Sequence, residues 1–229
     1  MSNELFHAFN TPYQPNPKER WEIINEIIER YGFKDYLEIG VCDPQWCFDK
    51  VICGNKDSVD PGVEYVDNPV KYKMTSDEFF SHIPKDKKWD VIFIDGLHIA
   101  GQVIQDVYNS LDHLSPNGFI LLHDVNPQNV WLQRENYSVD GRNYPWNGTV
   151  WKAFYALRIT RPDLSMCCID TDWGVGVIRR GSQTLAPADN TFYDYNKFAE
   201  NRREYLNLIP YSKFESFLSK SDLAYVPNI

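Results

Sequence analysis

Side chains able to do chemistry recur in this 229-residue chain at the ends of short apolar runs. The run Tyr36-Leu37-Glu38-Ile39-Gly40-Val41 holds one acid, and a second run closes at Asp60-Pro61-Gly62. A third position offers Thr75-Ser76-Asp77, and two more runs end in Asp95-Gly96-Leu97-His98 and His123-Asp124. A carboxylate inside an apolar strand is costly unless something binds it, so Glu38 reads as a contact for a ligand. Asp60 follows the first turn by about twenty residues, the spacing at which a carboxylate accepts hydrogen bonds from ribose hydroxyls. Plainer roles stay open beside these. Asp60 before Pro-Gly can start a turn, Ser76 or Asp77 can cap a helix from Glu78 to His82, Asp95 can organise a loop, Asp124 can cap a turn, and His98 can sit as a neutral buried imidazole. The first turn narrows the ligand further. Gly40 is followed by Val41-Cys42-Asp43-Pro44, without the glycines that bring a backbone close to a pyrophosphate. A cofactor without phosphates, bearing an amine and a carboxylate, suits this acidic, glycine-poor turn better than a nicotinamide dinucleotide does.

These residues need strands and helices to place them. After a lead punctuated by Pro12, Pro15 and Pro17, Trp21, Ile24, Ile27 and Ile28 predict an amphipathic helix from Lys18 to Tyr31, stopped at Gly32. Strands are expected at Tyr36–Val41, Asp57–Asp60, Val70–Met74 and Trp89–Asp95, the last almost wholly apolar, as in a sheet covered on both faces. Val103, Ile104, Val107, Leu111 and Leu114 give a helix from Ile99 to Leu114, ended by Ser115-Pro116-Asn117-Gly118, and Phe119–His123 follows as a buried strand. The long segment from Asp124 to Gly148 predicts a functional loop that lines a substrate site. Thr149–Leu157 reads as a helix, Leu164–Ile169 and Val175–Arg180 as a hairpin across Thr171-Asp172-Trp173-Gly174 forming one edge of the sheet, and Phe192–Lys220 as a helical tail. Alternating strand and helix at this spacing imply right-handed crossovers and a three-layered α/β domain. Its expected organisation is a helical lead over residues 1–33, a core over 34–181, and a tail over 182–229 packed on that core or against a second copy.

Composition excludes several classes. The hydrophobic fraction of 43% and aromatic fraction of 15% are enough to bury a core, which argues against disorder. A net charge of −9 argues against a nucleic-acid partner, whose phosphates draw on clustered Lys and Arg. No run of 18 or more apolar residues is present and Met1–Arg20 is polar, so neither a membrane partner nor a signal peptide is expected and the cytoplasm is the expected compartment. The five cysteines Cys42, Cys47, Cys53, Cys167 and Cys168 lack CxxC spacing, so free thiols are expected rather than disulfides or a zinc site. The acceptor patterns Asn136-Tyr137-Ser138 and Asn147-Gly148-Thr149 are read as coincidental.

Taken in order, the blocks Tyr36–Val41, Val59-Asp60-Pro61, Asp90–His98 and Gly118–Asp124 resemble class I S-adenosylmethionine-dependent methyltransferases, over roughly Tyr36 to Arg180. The last two blocks are similar to the branch with macrolide-sugar and glycan O-methyltransferases. The resemblance implies a doubly wound, Rossmann-like, seven-stranded, mostly parallel sheet with an antiparallel edge hairpin. It implies that Glu38, Ile39 and Gly40 lie near the methionine part of S-adenosyl-L-methionine, that Asp60 and Pro61 meet the ribose, that Ser76 and Asp77 approach adenine, and that Asp95 and Gly96 border the cofactor. It further implies that Asp95, Asp124 and His123 hold Mg2+ or Mn2+ while His98, with Asp95, serves as the catalytic base. That chemistry suits a sugar hydroxyl, too weakly acidic to react unaided: a cation lowers its pKa and an imidazole takes the proton. In this sequence Cys42 to Gln45 stand where many such enzymes have a second glycine, and Pro44 is expected to open the next helix. Trp146 and Trp173 are candidate walls for the acceptor, and Trp151 is expected in the core. The implied acceptor is a sugar or glycan. A phenolic or other small-molecule hydroxyl, and a non-catalytic binding or assembly module that keeps the fold, are the alternatives.

Overall fold

The apolar runs lie side by side as strands, and each sends alternate side chains to opposite faces of one sheet. The computed structural model describes residues 18–224, so the proline-bearing lead falls outside the described residues. In chain order the strands are β1 (Asp35–Ile39), β2 (Asn55–Val59), β3 (Trp89–Ile94), β4 (Leu114–Leu122), β5 (Ser138–Val139), β6 (Arg142–Asn143), β7 (Leu164–Ile169), β8 (Val175–Arg180) and β9 (Leu208–Ile209). The helices are α1 (Arg20–Tyr31), α2 (Ser76–His82), α3 (Ala100–His113), α4 (Val150–Thr160), α5 (Tyr195–Tyr205) and α6 (Phe214–Ala224). Seven strands form the main sheet in the order β2-β1-β3-β4-β8-β7-β9, while β5 and β6 make a small separate hairpin. Strand β8 runs antiparallel to β4 and β7, and the other neighbouring pairs are parallel. This is the α/β class that the sequence implied.

Three layers follow from the alternation. Leu37, Ile39, Ile92, Ile94, Ile120 and Leu122 face one way, against Val103, Val107 and Leu111 of α3 and Trp151 and Phe154 of α4. Tyr36, Val91, Phe93, Phe119 and Leu121 face the other way, against Ile23, Ile24, Ile27 and Ile28 of α1 and Phe214 and Leu218 of α6. The four isoleucines are buried, and each such side chain contributes about 1.5–3 kcal/mol when withdrawn from water. Gly32 ends α1 in the left-handed conformation, with its N–H on the carbonyls of Ile28 and Glu29. Trp151 lies in the core as expected, stacked on Phe198 at 4.1 Å.

Several expected elements differ. Val70–Met74 is not a strand: Tyr72 alone bridges to Val59, its N–H on the Ser58 carbonyl, and the neighbouring Pro69 has no N–H to extend a ladder. Helix α2 starts earlier than read, at Ser76, because Thr75 caps it in a reciprocal box with Glu78, so neither Ser76 nor Asp77 is the cap. Strand β4 begins already at Leu114, and its register against β3 breaks between Trp89 and Val91, which accommodates Ser115-Pro116-Asn117-Gly118 within the strand. The β7–β8 hairpin is not the sheet edge, because β9 from the tail adds outside β7. The tail is therefore two helices with a short strand between them rather than continuous helix. Nor does Pro44 open an α-helix; a turn and a short 3-10 segment at Phe48–Lys50 connect β1 to β2.

Candidate active site

Strand order reverses at β1 and β3: β2 extends the sheet on one side and β4 on the other, so a crevice opens beyond their carboxyl ends. Gly40 ends β1 there with φ +85°, and a Cβ on it would lie 2.2 Å from the Gly96 Cα. Only glycine fits at that contact. Two residues on, Cys42 takes φ 45°, the left-handed conformation that non-glycine residues seldom adopt. Its N–H donates to Asp60 Oδ2 at 3.0 Å, and the Gly62 N–H donates to Asp60 Oδ1 at 2.6 Å. Asp60 thus ties the first two turns together and also forms part of the crevice wall.

The crevice has two lobes. The first encloses about 410 Å³ and is lined by Ile39, Gly40, Asp60, Pro61, Ser76, Asp77, Asp95 and Gly96 among others. These are the sequence-predicted cofactor residues apart from Glu38. Helix α3 adds Gln102 and Asp106, which sequence reasoning missed although they lie one turn apart on one face. The Gln102 amide donates to Ser76 Oγ at 3.2 Å, Asp77 Oδ1 at 3.1 Å and Asp106 Oδ1 at 3.1 Å. Burial pushes the Asp106 carboxyl up to about 6.

The second lobe encloses about 310 Å³ and shares Gly40, Asp95, Gly96 and Trp146 with the first. Glu38, Arg20, His98, His123, Asp124, Trp46 and Trp173 complete much of its wall. Glu38 is only 2% exposed and accepts a hydrogen bond from the Tyr36 hydroxyl at 2.5 Å. Burial raises its carboxyl to about 8, overcoming the opposing effect of that bond. Cys47 stands in the same wall, its thiol also pushed up by burial. All five cysteines are free.

Asp95, His98 and Asp124 converge, each offering one ligand atom, with those atoms within 4.8 Å of one another. His98 Nε2 lies 3.2 Å from Asp95 Oδ1, and its Nδ1 lies 3.4 Å from Asp124 Oδ2, close enough to pair electrostatically but without hydrogen-bond geometry. Burial alone would lower the His98 pKa, but the Asp95 hydrogen bond and the Asp124 charge outweigh it, and the net shift is upward. His123 occupies a different place. Its Nδ1 lies 3.2 Å from Asp95 and 3.1 Å from Asp124, and its Nε2 lies 3.3 Å from Asp172. Those carboxylates overcome burial and raise its pKa well above the imidazole range.

Arg20 and Asp172 are functional neighbours that sequence reasoning did not pick out. The Arg20 backbone N–H and guanidinium both donate to Asp172, at 2.8 Å and 3.1 Å, and its Nε lies 3.6 Å from Asp95. Burial would raise the Asp172 and Asp95 pKa values, yet contact with His123 and Arg20 brings Asp172 down to about 2 and holds Asp95 well below the carboxylate range. The turn carrying Asp172 has three consecutive residues at positive φ: Asp172 at 42°, Trp173 at 64° and Gly174 at 92°. Non-glycine residues held there mark a turn over-determined by its surroundings, as at many ligand sites. Here the surroundings are the segment after β4, with the Val125 N–H on the Gly174 carbonyl and the Asn126 N–H on the Trp173 carbonyl. Asp124 is itself left-handed at φ 59°, and the fully buried Asn147 amide donates to its Oδ1 at 2.7 Å. That burial is consistent with reading the Asn147 acceptor pattern as coincidental.

Residues 45–125 match the family model described as "Methyltransferase domain". No curated protein matches the chain. Among solved structures, the O-methyltransferase from Bacillus cereus in complex with SAH is similar at 15% identity, with a TM-score of 0.50, covering 78% of this chain and 88% of that one. The cofactor-bound protein Rv0187 from MTB is similar at 12% identity, with a TM-score of 0.50, covering 75% of this chain and 84% of that one. At such identities the likeness is one of fold.

Proposed function

We propose that the chain is an S-adenosylmethionine-dependent O-methyltransferase whose acceptor is a sugar or glycan hydroxyl. The observation that carries this reading is the meeting of the two lobes at Gly40, Gly96 and Asp95, which puts a cofactor-sized cleft directly beside a cluster of carboxylates and imidazoles. In the first lobe Asp60 would bind the ribose and Ser76 with Asp77 would approach the adenine, while Gly40, shared by both lobes, and Glu38 of the second would border the methionine end. The three tryptophans of the second lobe, Trp46, Trp146 and Trp173, supply flat apolar walls of the kind that stack on a sugar face.

Asp95 and Asp124 suit a divalent cation: their carboxylates converge beside the His98 imidazole, whose buried Nδ1 has no hydrogen-bond partner and so is free to accept a proton. A cation held by Asp95 and Asp124 would lower the pKa of the acceptor hydroxyl. His98 would take the hydroxyl proton, and S-adenosylmethionine bound in the first lobe would supply the methyl group, the new oxygen–carbon bond replacing the carbon–sulfur bond, whose electron pair would stay on sulfur. As a general base His98 must be neutral, so activity should climb with pH through the imidazole range. The test is to incubate the protein with S-adenosylmethionine, Mg2+ or Mn2+, and panels of sugar nucleotides, glycosides and phenols, and to look by mass spectrometry for one added methyl group. A methylated sugar, with turnover lowered 10²–10⁴-fold in His98→Gln as expected for a lost general base, supports the proposal. Methylation confined to phenols, or none in any class, contradicts it.

A further inference from the structure

His98 is held from every side, and most of what holds it comes from the loop between β4 and α4. At its backbone, a Cβ on Gly148 would lie 2.1 Å from the His98 carbonyl oxygen, so the loop presses against His98 with nothing between. The Thr149 N–H donates to that same oxygen at 2.8 Å, and the Thr149 hydroxyl accepts from the Ala100 N–H at 2.8 Å. At its ring, the Trp146 indole stacks on the imidazole with centroids 4.7 Å apart and planes 21° apart. The imidazole therefore cannot swing away from Asp95 and Asp124 unless the indole moves.

The indole is fixed in turn by Arg134. Its guanidinium donates to four carbonyls from both arms of the loop: Trp131 at 3.0 Å, Pro145 at 2.9 Å, Tyr137 at 3.2 Å and Tyr144 at 3.0 Å. The Trp146 indole N–H donates to the Arg134 carbonyl. Between the arms lies the β5–β6 hairpin, turned at Asp140 and Gly141 with φ 50° and 72°, a two-residue turn suited to strand twist. A single guanidinium thus ties four loop carbonyls together, among them those of Trp131 and Tyr137, which also accept from the Arg134 and Tyr144 N–H groups. Arg134 lines neither lobe, whereas Trp146 lines both.

We infer that Trp146 and Arg134 are positioning residues for His98: Arg134 locks the loop and Trp146 transmits that order to the imidazole by stacking. The inference rests on the reading of Asp95, His98 and Asp124 as the reacting centre, and its test does not need the acceptor. The imidazole proton and nitrogen signals of His98, assigned with His98→Gln, are recorded by NMR in the intact protein and in Arg134→Met, Trp146→Leu and Trp146→Phe, and Mn2+ alone is titrated into each. Trp146→Phe should keep one sharp, ring-shifted His98 signal and Mn2+ affinity within about threefold of the intact protein. Arg134→Met, which does not touch His98, should broaden or shift that signal, and with Trp146→Leu should weaken Mn2+ binding at least tenfold. An unmoved His98 signal in folded Arg134→Met overturns the inference. If the intact protein binds no Mn2+, the proposed cation falls and the His98 signal in Arg134→Met alone decides the positioning role. Circular dichroism and thermal unfolding of each variant separate a moved side chain from an unfolded one; unfolding of Arg134→Met moves the decision to Arg134→Lys, where an unmoved His98 signal equally overturns the inference.

Discussion

Glu38 carries the most informative electrostatics at the scale of a single residue. It projects from β1 to the α1 side of the sheet, among Tyr36, Cys47 and Arg20, where water is excluded. Its carboxyl sits near 8 in the folded chain against 4.5 for a free glutamate. A folded pKa above the unfolded one means that folding takes up a proton between those values. The associated stability is therefore complete below about pH 4.5 and is lost as pH rises toward 8. At about 1.4 kcal/mol per unit, the loss is on the order of a few kcal/mol. Urea unfolding at a series of pH values between 5 and 8 should show the intact protein losing stability relative to Glu38→Gln, which cannot ionise; parallel curves would remove the buried neutral acid from the account. The sequence made Glu38 conspicuous because an acid interrupted an apolar run. It gave no such sign for Arg20 or Asp172, whose pairing joins positions 152 apart, nor for the placement of His123 among three carboxylates from three segments.

The elements that matter most are those meeting at the crevice: β1, β3, the ends of β4 and β7, and the first turn of α1. Strands β7 and β8 lie where the apolar spacing put them, and α3 and α4 nearly so, because their patterns report burial directly. Elements fixed by a neighbour were less legible. Strand β9 exists only because the open edge of β7 accepts it, and the first residues of β4 join β3 through an irregular register that no local pattern announces. The missing helix after β1 has a local cause: Pro44 sits in a turn in which the Asp43 carboxylate accepts from the Gln45 N–H at 3.0 Å and the Asp43 carbonyl from the Trp46 N–H at 3.0 Å. Arg20 opens α1 and is its anchor on the crevice. Arg20→Met should cost roughly 1–3 kcal/mol, because the partly buried Asp172 loses its guanidinium partner and keeps the His123 ring and the backbone N–H at position 20 beside it. Chemical denaturation measures the loss, and hydrogen exchange should show the first turn of α1 opening more often. A variant as stable as the parent, with α1 equally protected, would mean that the isoleucine face alone seats the helix.

Among the described residues, one sheet holds two separate apolar layers together and has a polar seam at its carboxyl end. The surplus of acidic residues is consistent with a ligand that is neutral or cationic rather than polyanionic. No helix among the described residues is long and apolar enough to cross a membrane. The fold class was readable because alternation, helix spacing and strand-end polarity all pointed to the same architecture; the loop that orders the site was not, since its order comes from one arginine satisfying four carbonyls. The central claim is that the seam binds S-adenosylmethionine at the end of β1. Isothermal titration with S-adenosylhomocysteine, the demethylated cofactor, tests it most directly. The account predicts saturable binding at one site, weakened at least tenfold in Asp60→Ala, which removes both the proposed ribose partner and the tie between the first two turns. An absence of binding by the intact protein, or equal affinity in the two, would contradict it.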